Sequence, residues 1–191
     1  MSETSRSSVV DLLLPAKPQS EEASTSIAIE AVVTELFEKL RHGMLRYIGS
    51  LGLSIQDGEE ILQEVFLLLF QHLRDRKPQE NLRGWLFRVA HNLALKRRIA
   101  NQATTKVTCC ISEDEHHDPQ PSPEDNLFFR QRRDRLLSVL QALPERDQFC
   151  LYLRAEGLQY REIAEVLDIS LGGVSKSLAR AIRRLGNADQ R

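Results

Sequence analysis

Four carboxylates, Asp57, Glu59, Glu60 and Glu64, stand in one short run with Gln63 among them. Glu60 and Glu64 are four residues apart, so on a helix they share a face, and Asp57 and Gln63 lie on or beside it. Paired carboxylates are the groups of general acid–base catalysis. Here no nucleophile and no metal-ligand set stands near them, so the run points away from an enzyme. It predicts a docking surface for a basic partner, with a merely solvated helix face as the plainer alternative.

A second constellation runs from Asn81 to Asn101, with Arg83, Arg88, Lys96, Arg97 and Arg98 and no acid. Cations bind phosphate, while aromatic faces and amides accept unstacked bases. Trp85, Phe87, His91 and Asn92 supply those faces and amides; core packing is the alternative for Trp85. Arg88, Asn92 and Lys96 follow one another at about one helical turn with Arg97 next to the last, and for these four nucleic acid is favoured. A third lies near the C-terminus. Tyr160 to Leu167 reads as a short helix, Asp168-Ile169-Ser170 as a turn, and Leu171 to Leu185 as a basic helix. Val174, Leu178, Ile182 and Leu185 are expected on one side of it, with Lys176, Arg180, Arg183 and Arg184 facing away. An apolar stripe opposite cations suits a helix that packs on a small core and enters a DNA groove.

The bulk numbers set limits. The chain has 191 residues, 41% hydrophobic content and a net charge of -1, enough for one medium domain or two small ones. That charge is segregated: Ser112 to Asn126 carries Glu113, Asp114, Glu115, Asp118, Glu124 and Asp125 without a Lys or Arg. Three cysteines argue against a disulfide scaffold and for a reducing compartment. Cys109-Cys110 and His116-His117 have poor spacing for structural zinc, so no metal and no other cofactor is expected. Asp11 and Pro15 break the apolar run near the N-terminus, and Val65 to Phe70 is far below the ~20 residues of a bilayer span. These features predict a cytoplasmic protein with no membrane insertion.

The elements that must position the three constellations are all helical. Val33, Leu36, Phe37, Leu40, Met44 and Ile48 recur at helical spacing. Ser54-Ile55-Gln56-Asp57 resembles a capping box opening the next helix, which Pro78 stops. A third helix runs from Trp85 to about Ile99. Pro119, Pro121 and Pro123 mark a linker, and Pro144 suits the first turn of a later helix ending near Gly157. The expectation is an all-α protein of two small helical domains on a flexible acidic tether. Its parts are a disordered extension at 1–28, a first domain at 29–100, a linker at 101–126, a helix-turn-helix domain at 127–186 and a tail at 187–191.

Asp57 to Phe66, followed by Leu82 to Ala94, resembles region two of bacterial RNA polymerase sigma factors of the extracytoplasmic-function (ECF) group. Leu143-Pro144-Glu145-Arg146 and Tyr160 through Arg184 are similar to region four of the same family. The resemblance covers about Ala31 to Leu185 apart from the linker. It implies a promoter-specificity subunit that binds core RNA polymerase, directs it to promoters and helps melt them. Asp57, Glu60, Gln63 and Glu64 then map to the face that docks on the β′ clamp, and the β flap is a further contact. Arg83, Trp85, Arg88, His91, Asn92, Lys96 and Arg97 map to the segment that opens the minus-ten element. Ser175, Lys176, Ala179, Arg180 and Arg183 map to the minus-thirty-five reader, and an anti-sigma factor is a typical regulator. The chain departs from the pattern at Ser175 and Ser177, where Lys or Arg is common, at Asp168, where Gly often turns, and at Gln159, which replaces a Ser or Thr cap. Asp tolerates a left-handed backbone, so the turn is expected to form. The alternative is a stand-alone helix-turn-helix regulator, which would leave the acidic helix and the Trp85–Arg98 block idle.

Overall fold

The computed structural model describes residues 19–78, 80–104 and 123–189. Seven helices occur among them: α1 (Gln19–Ser50), α2 (Ile55–Arg74), α3 (Leu82–Thr104), α4 (Pro123–Gln141), α5 (Glu145–Ala155), α6 (Tyr160–Leu167) and α7 (Leu171–Asp189). No strand occurs among the described residues. The fold is therefore all-α, as the periodicity required.

The first three helices form one packed group. Met44, Tyr47 and Ile48 of α1, Ile61, Val65 and Leu69 of α2, and Leu86, Phe87 and Ala90 of α3 are buried together. On α2 the buried set Ile61, Leu62, Val65, Phe66, Leu69 and Leu73 keeps the three-and-four spacing of one helix face. Ser54 starts that helix, since its hydroxyl accepts from the Asp57 amide at 3.1 Å and donates to Asp57 Oδ2 at 2.8 Å. The chain then turns through Arg76 and Asn81, both at positive φ. Asn81 Oδ1 accepts from the Gly84 amide at 3.1 Å and so caps α3. A side chain at Gly84 would strike the Asn81 amide, so this cap requires glycine.

The second group is α4 to α7, with Leu153, Leu158, Ile163, Val166, Val174 and Leu178 at its centre. Asp168 ends α6 in the left-handed conformation, φ 52 and ψ 49, as expected of the turn. Gln159 and Glu162 form a capping box at the start of α6, in which the Glu162 carboxylate accepts from the Gln159 amide.

Several boundaries differ from the sequence reading. α1 begins at Gln19, ten residues before the expected domain start at 29, so 19–28 is helical rather than disordered. α3 continues to Thr104 and α4 begins at Pro123, which shortens the expected linker from both ends. Residues 1–18 and 105–122 lie outside the described residues, and Cys109, Cys110, His116 and His117 fall there. Ile182 is 59% exposed, and the buried stripe of α7 is Val174, Ser177, Leu178 and Ala181. At about 100° per residue Ile182 sits roughly 80° round from Val174, on the edge of the face rather than in it.

The two groups are not held apart. Core residues from both belong to one continuous apolar cluster, α6 packs along α3, and α5 packs along α1. No helix among the described residues is long and apolar enough to cross a membrane.

Candidate nucleic-acid interface

On α2 the acidic face is built as its spacing implied, and it has a partner inside the chain. Glu60, Gln63 and Glu64 are exposed, while Asp57 is partly covered at the helix start. Arg97 of α3 lies across the seam, its Nη1 2.7 Å from Asp57 Oδ1 and 2.8 Å from Glu60 Oε2. Asn101 Nδ2 donates to Asp57 Oδ2 at 3.1 Å. Burial pushes the Asp57 carboxyl up. Its hydrogen bonds from Ser54, Arg97 and Asn101, with the Arg97 charge, outweigh that and hold it below the usual carboxylate range. The same contacts from Glu60 and Asp57 raise Arg97. One residue assigned from sequence to DNA is thus bound to two assigned to protein docking.

The basic helix α3 presents two sides. Arg88, Asn92 and Lys96 are exposed at four-residue spacing and form an open stripe of cation, amide and cation. Trp85 is half-buried, its ring 4.6 Å from that of His72 between centroids. The other side of α3 faces the second helical group. His91 is buried and joined to the Tyr47 hydroxyl by a 2.8 Å hydrogen bond through Nδ1. Phe149 of α5 packs its ring against both, 6.1 Å from His91 and 6.4 Å from Tyr47. Burial pushes His91 below its ordinary value and Tyr47 well above its own. Arg83 is half-buried beside Gly157, whose φ of 83 keeps that position open to glycine. A Cβ there would come within 3.3 Å of the Arg83 guanidinium nitrogens.

Two ion pairs flank this contact. Arg46 Nη2 lies 2.7 Å from Glu156 Oε1, and Arg98 Nη2 lies 2.7 Å from Glu145 Oε1. Of the residues assigned to minus-ten DNA, Arg88, Asn92 and Lys96 are open, Arg97 is paired, and Arg83 and His91 face the other half. The partners Arg46, Glu145 and Glu156 were missed from sequence. Each pair spans 47 or 110 positions, beyond any local pattern.

In the helix-turn-helix, Ser175, Lys176, Ala179 and Arg183 are exposed on α7, and Arg180 is partly covered. Ser177 is buried, so that departure from the basic pattern removes no outward cation. Arg180 Nη1 lies 3.1 Å from Oδ2 of Asp147, a residue of α5 with no exposed surface. Asp147 was also missed. Its signal is a charge at helical spacing from Leu143 and Cys150, on the face that had to be core. No group of His, Cys, Asp and Glu able to hold a metal occurs among the described residues.

The structure sets a three-helix group with an acidic ridge and a basic stripe against a second group that contains a helix-turn-helix. Comparison with known proteins is specific on both parts. Residues 36–104 match the family model of sigma-70 region 2, and residues 133–185 match that of sigma-70 region 4. The ECF RNA polymerase sigma-E factor of Haemophilus influenzae is 25% identical over 171 residues, covering 85% of this chain and 88% of that protein. The RNA polymerase sigma-H factor of Pseudomonas aeruginosa is 27% identical over 160 residues, covering 80% and 83%. Among solved structures, CnrH in complex with the cytosolic domain of CnrY has a TM-score of 0.56 at 20% identity, covering 86% of this chain and 92% of that one. The sigma factor RpoE in complex with the anti-sigma factor NepR from Bartonella quintana also scores 0.56, at 18% identity, covering 81% and 94%. The chain belongs to the sigma-70 family of RNA polymerase sigma factors, in its ECF group. It is a transcription initiation factor, and a stand-alone regulator using the helix-turn-helix alone is not favoured, because region 2 is matched as well.

Proposed function

We propose that this sigma factor docks on the β′ clamp of core polymerase through Glu60, Gln63 and Glu64. Asp57 sets the start of that ridge, and the second domain, taken as 127–186, adds a contact on the β flap. The stripe of Arg88, Asn92 and Lys96, with Trp85 at the head of α3, takes the unwound minus-ten strand. Cations hold its phosphates, and the ring and amide receive an unstacked base. Lys176, Arg183, Ser175 and Ala179, with Arg180, enter the major groove at the minus-thirty-five element. Each reader is weak alone, and a shared polymerase makes their affinities multiply by effective concentration. The protein contributes binding and strand opening, with no catalytic group of its own, and works in the cytoplasm where the polymerase is.

The observation that carries this reading is the pairing of an exposed acidic ridge with an exposed amide-and-cation stripe on adjoining helices of one group. On this reading Arg83 and His91 reach DNA only when the two packed halves part. An anti-sigma factor that holds the halves together fits the same surfaces, and the complex described for the Bartonella quintana protein supports such a partner. Core-dependent binding tests the proposal. The free chain is expected to bind promoter duplex poorly, and the chain with core to bind and open it. Equal promoter affinity with and without core would overturn it.

A further inference from the structure

Asp147 is a carboxylate with no exposed surface in the core between α5 and α7. Burying a charge is costly unless it is paired and hydrogen-bonded. Here Arg180 Nη1 donates to Oδ1 at 3.4 Å and stands 3.1 Å from Oδ2, which has no hydrogen-bond donor among the described residues. The buried Ser177 hydroxyl and the Cys150 thiol lie in the same pocket of polar atoms inside an otherwise apolar seam. A small apolar residue would fill this place without that penalty. What the carboxylate adds is a fixed anchor for one nitrogen of Arg180.

We propose that Asp147 is a positioning residue for promoter recognition. It pins the Arg180 guanidinium against α7 so that the remaining edge of the fork points outward at a fixed angle. The inference rests on the reading of α7 as the minus-thirty-five helix. A guanidinium carries five N–H donors in a rigid plane, and one nitrogen on Asp147 leaves the others for a phosphate or a base edge. The Arg180 side chain is 37% exposed, consistent with a group held at its root and open at its rim. Lys176 and Arg183 are exposed with no ion-pair partner among the described residues, so they supply charge without a set direction. An arginine already immobilised loses less freedom on binding than one that must be ordered by DNA.

The test uses core polymerase with the full chain, on a promoter selected from genomic DNA by the unaltered holoenzyme. The readout is the ratio of open-complex formation with the minus-thirty-five element intact to that with it scrambled. Asp147→Asn is expected to lower this ratio about fivefold, towards the value of Arg180→Ala, and to lower it no further when combined with Arg180→Ala. Asp147→Leu, which removes the buried carboxylate with its unpaired oxygen, is expected to give the same loss with thermal stability retained. Core affinity and binding to a template with only the minus-ten element should not change in either variant. The proposal is overturned if both variants keep the unaltered ratio, if Asp147→Asn acts equally with and without Arg180, or if all DNA binding falls alike. If the unaltered holoenzyme itself does not discriminate the minus-thirty-five element, the reading of α7 fails instead.

Discussion

The two halves of this sigma factor hold an arginine in opposite ways. In the first half, Arg97 bridges two carboxylates at the surface, where water and a partner can reach all three groups. In the second, Arg180 is tied to a carboxylate that no solvent touches. An exposed ion pair contributes little to stability and exchanges readily. A buried one is expensive to break, because it strands a charge in the core. On the proposed function, the first arrangement suits a surface that exchanges Arg97 for polymerase, and the second a DNA reader held at a fixed angle.

The largest effect should come from reversing the ridge itself. Glu60→Lys with Glu64→Lys is expected to weaken binding to core by about 100-fold, since like charges then face one another. Folding should persist, because both positions are exposed. Retained core affinity, measured by fluorescence anisotropy or pull-down, would break the contrast at its first term. Next in size is the seam between the halves. Glu145→Lys with Glu156→Lys removes both flanking ion pairs and repels Arg46 and Arg98. The ratio of open to closed chains should rise about tenfold, from two surface pairs each worth up to ~1 kcal/mol. Energy transfer between dyes at positions 64 and 176 reads this directly, and an unchanged distance distribution would count against a seam held by those pairs.

A smaller change is expected at Arg97. Arg97→Ala uncovers the ridge, so core affinity should rise about threefold at low salt while minus-ten single-strand binding falls. A fall in core affinity instead would make Arg97 part of the docking surface rather than its occupant. The smallest effect concerns pH. His91 is buried neutral, and burial lowers its proton affinity in the folded chain. The unfolded chain then binds more protons below the ordinary histidine value of about 6.5, so stability is intact above that pH and declines as pH falls below it. His91→Gln should flatten the decline of the melting temperature from pH 7 to pH 5.5. An equal decline in both proteins would remove His91 from the seam's pH response.

Much of the helix-turn-helix was legible in sequence. The bounds of α6, the left-handed Asp168 and the start of α7 follow from local rules, namely apolar spacing, a turn residue and a cap. The capped start of α2 at Ser54 was legible for the same reason. The seam was not, because Arg46–Glu156 and Phe149 on His91 join segments with no shared periodicity. Charge type did not reveal allegiance either. Arg97 and Arg88 look alike in the sequence, yet one crosses to α2 and the other faces water, since nine positions at about 100° each put them on opposite sides of the helix. Asp147 was missed although its spacing from Leu143 and Cys150 puts it on the core face of α5; its partner on α7 is what the sequence does not show. Ile182 reads as core until the centre of the α7 stripe is fixed by Val174 and Ala181.

The most direct trial of the whole account is run-off transcription with core polymerase over a library of genomic promoter fragments. Core with this chain should yield transcripts from a discrete set of start sites, and neither component alone should do so. Transcripts from no fragment, or from the same fragments without core-bound chain, would contradict it.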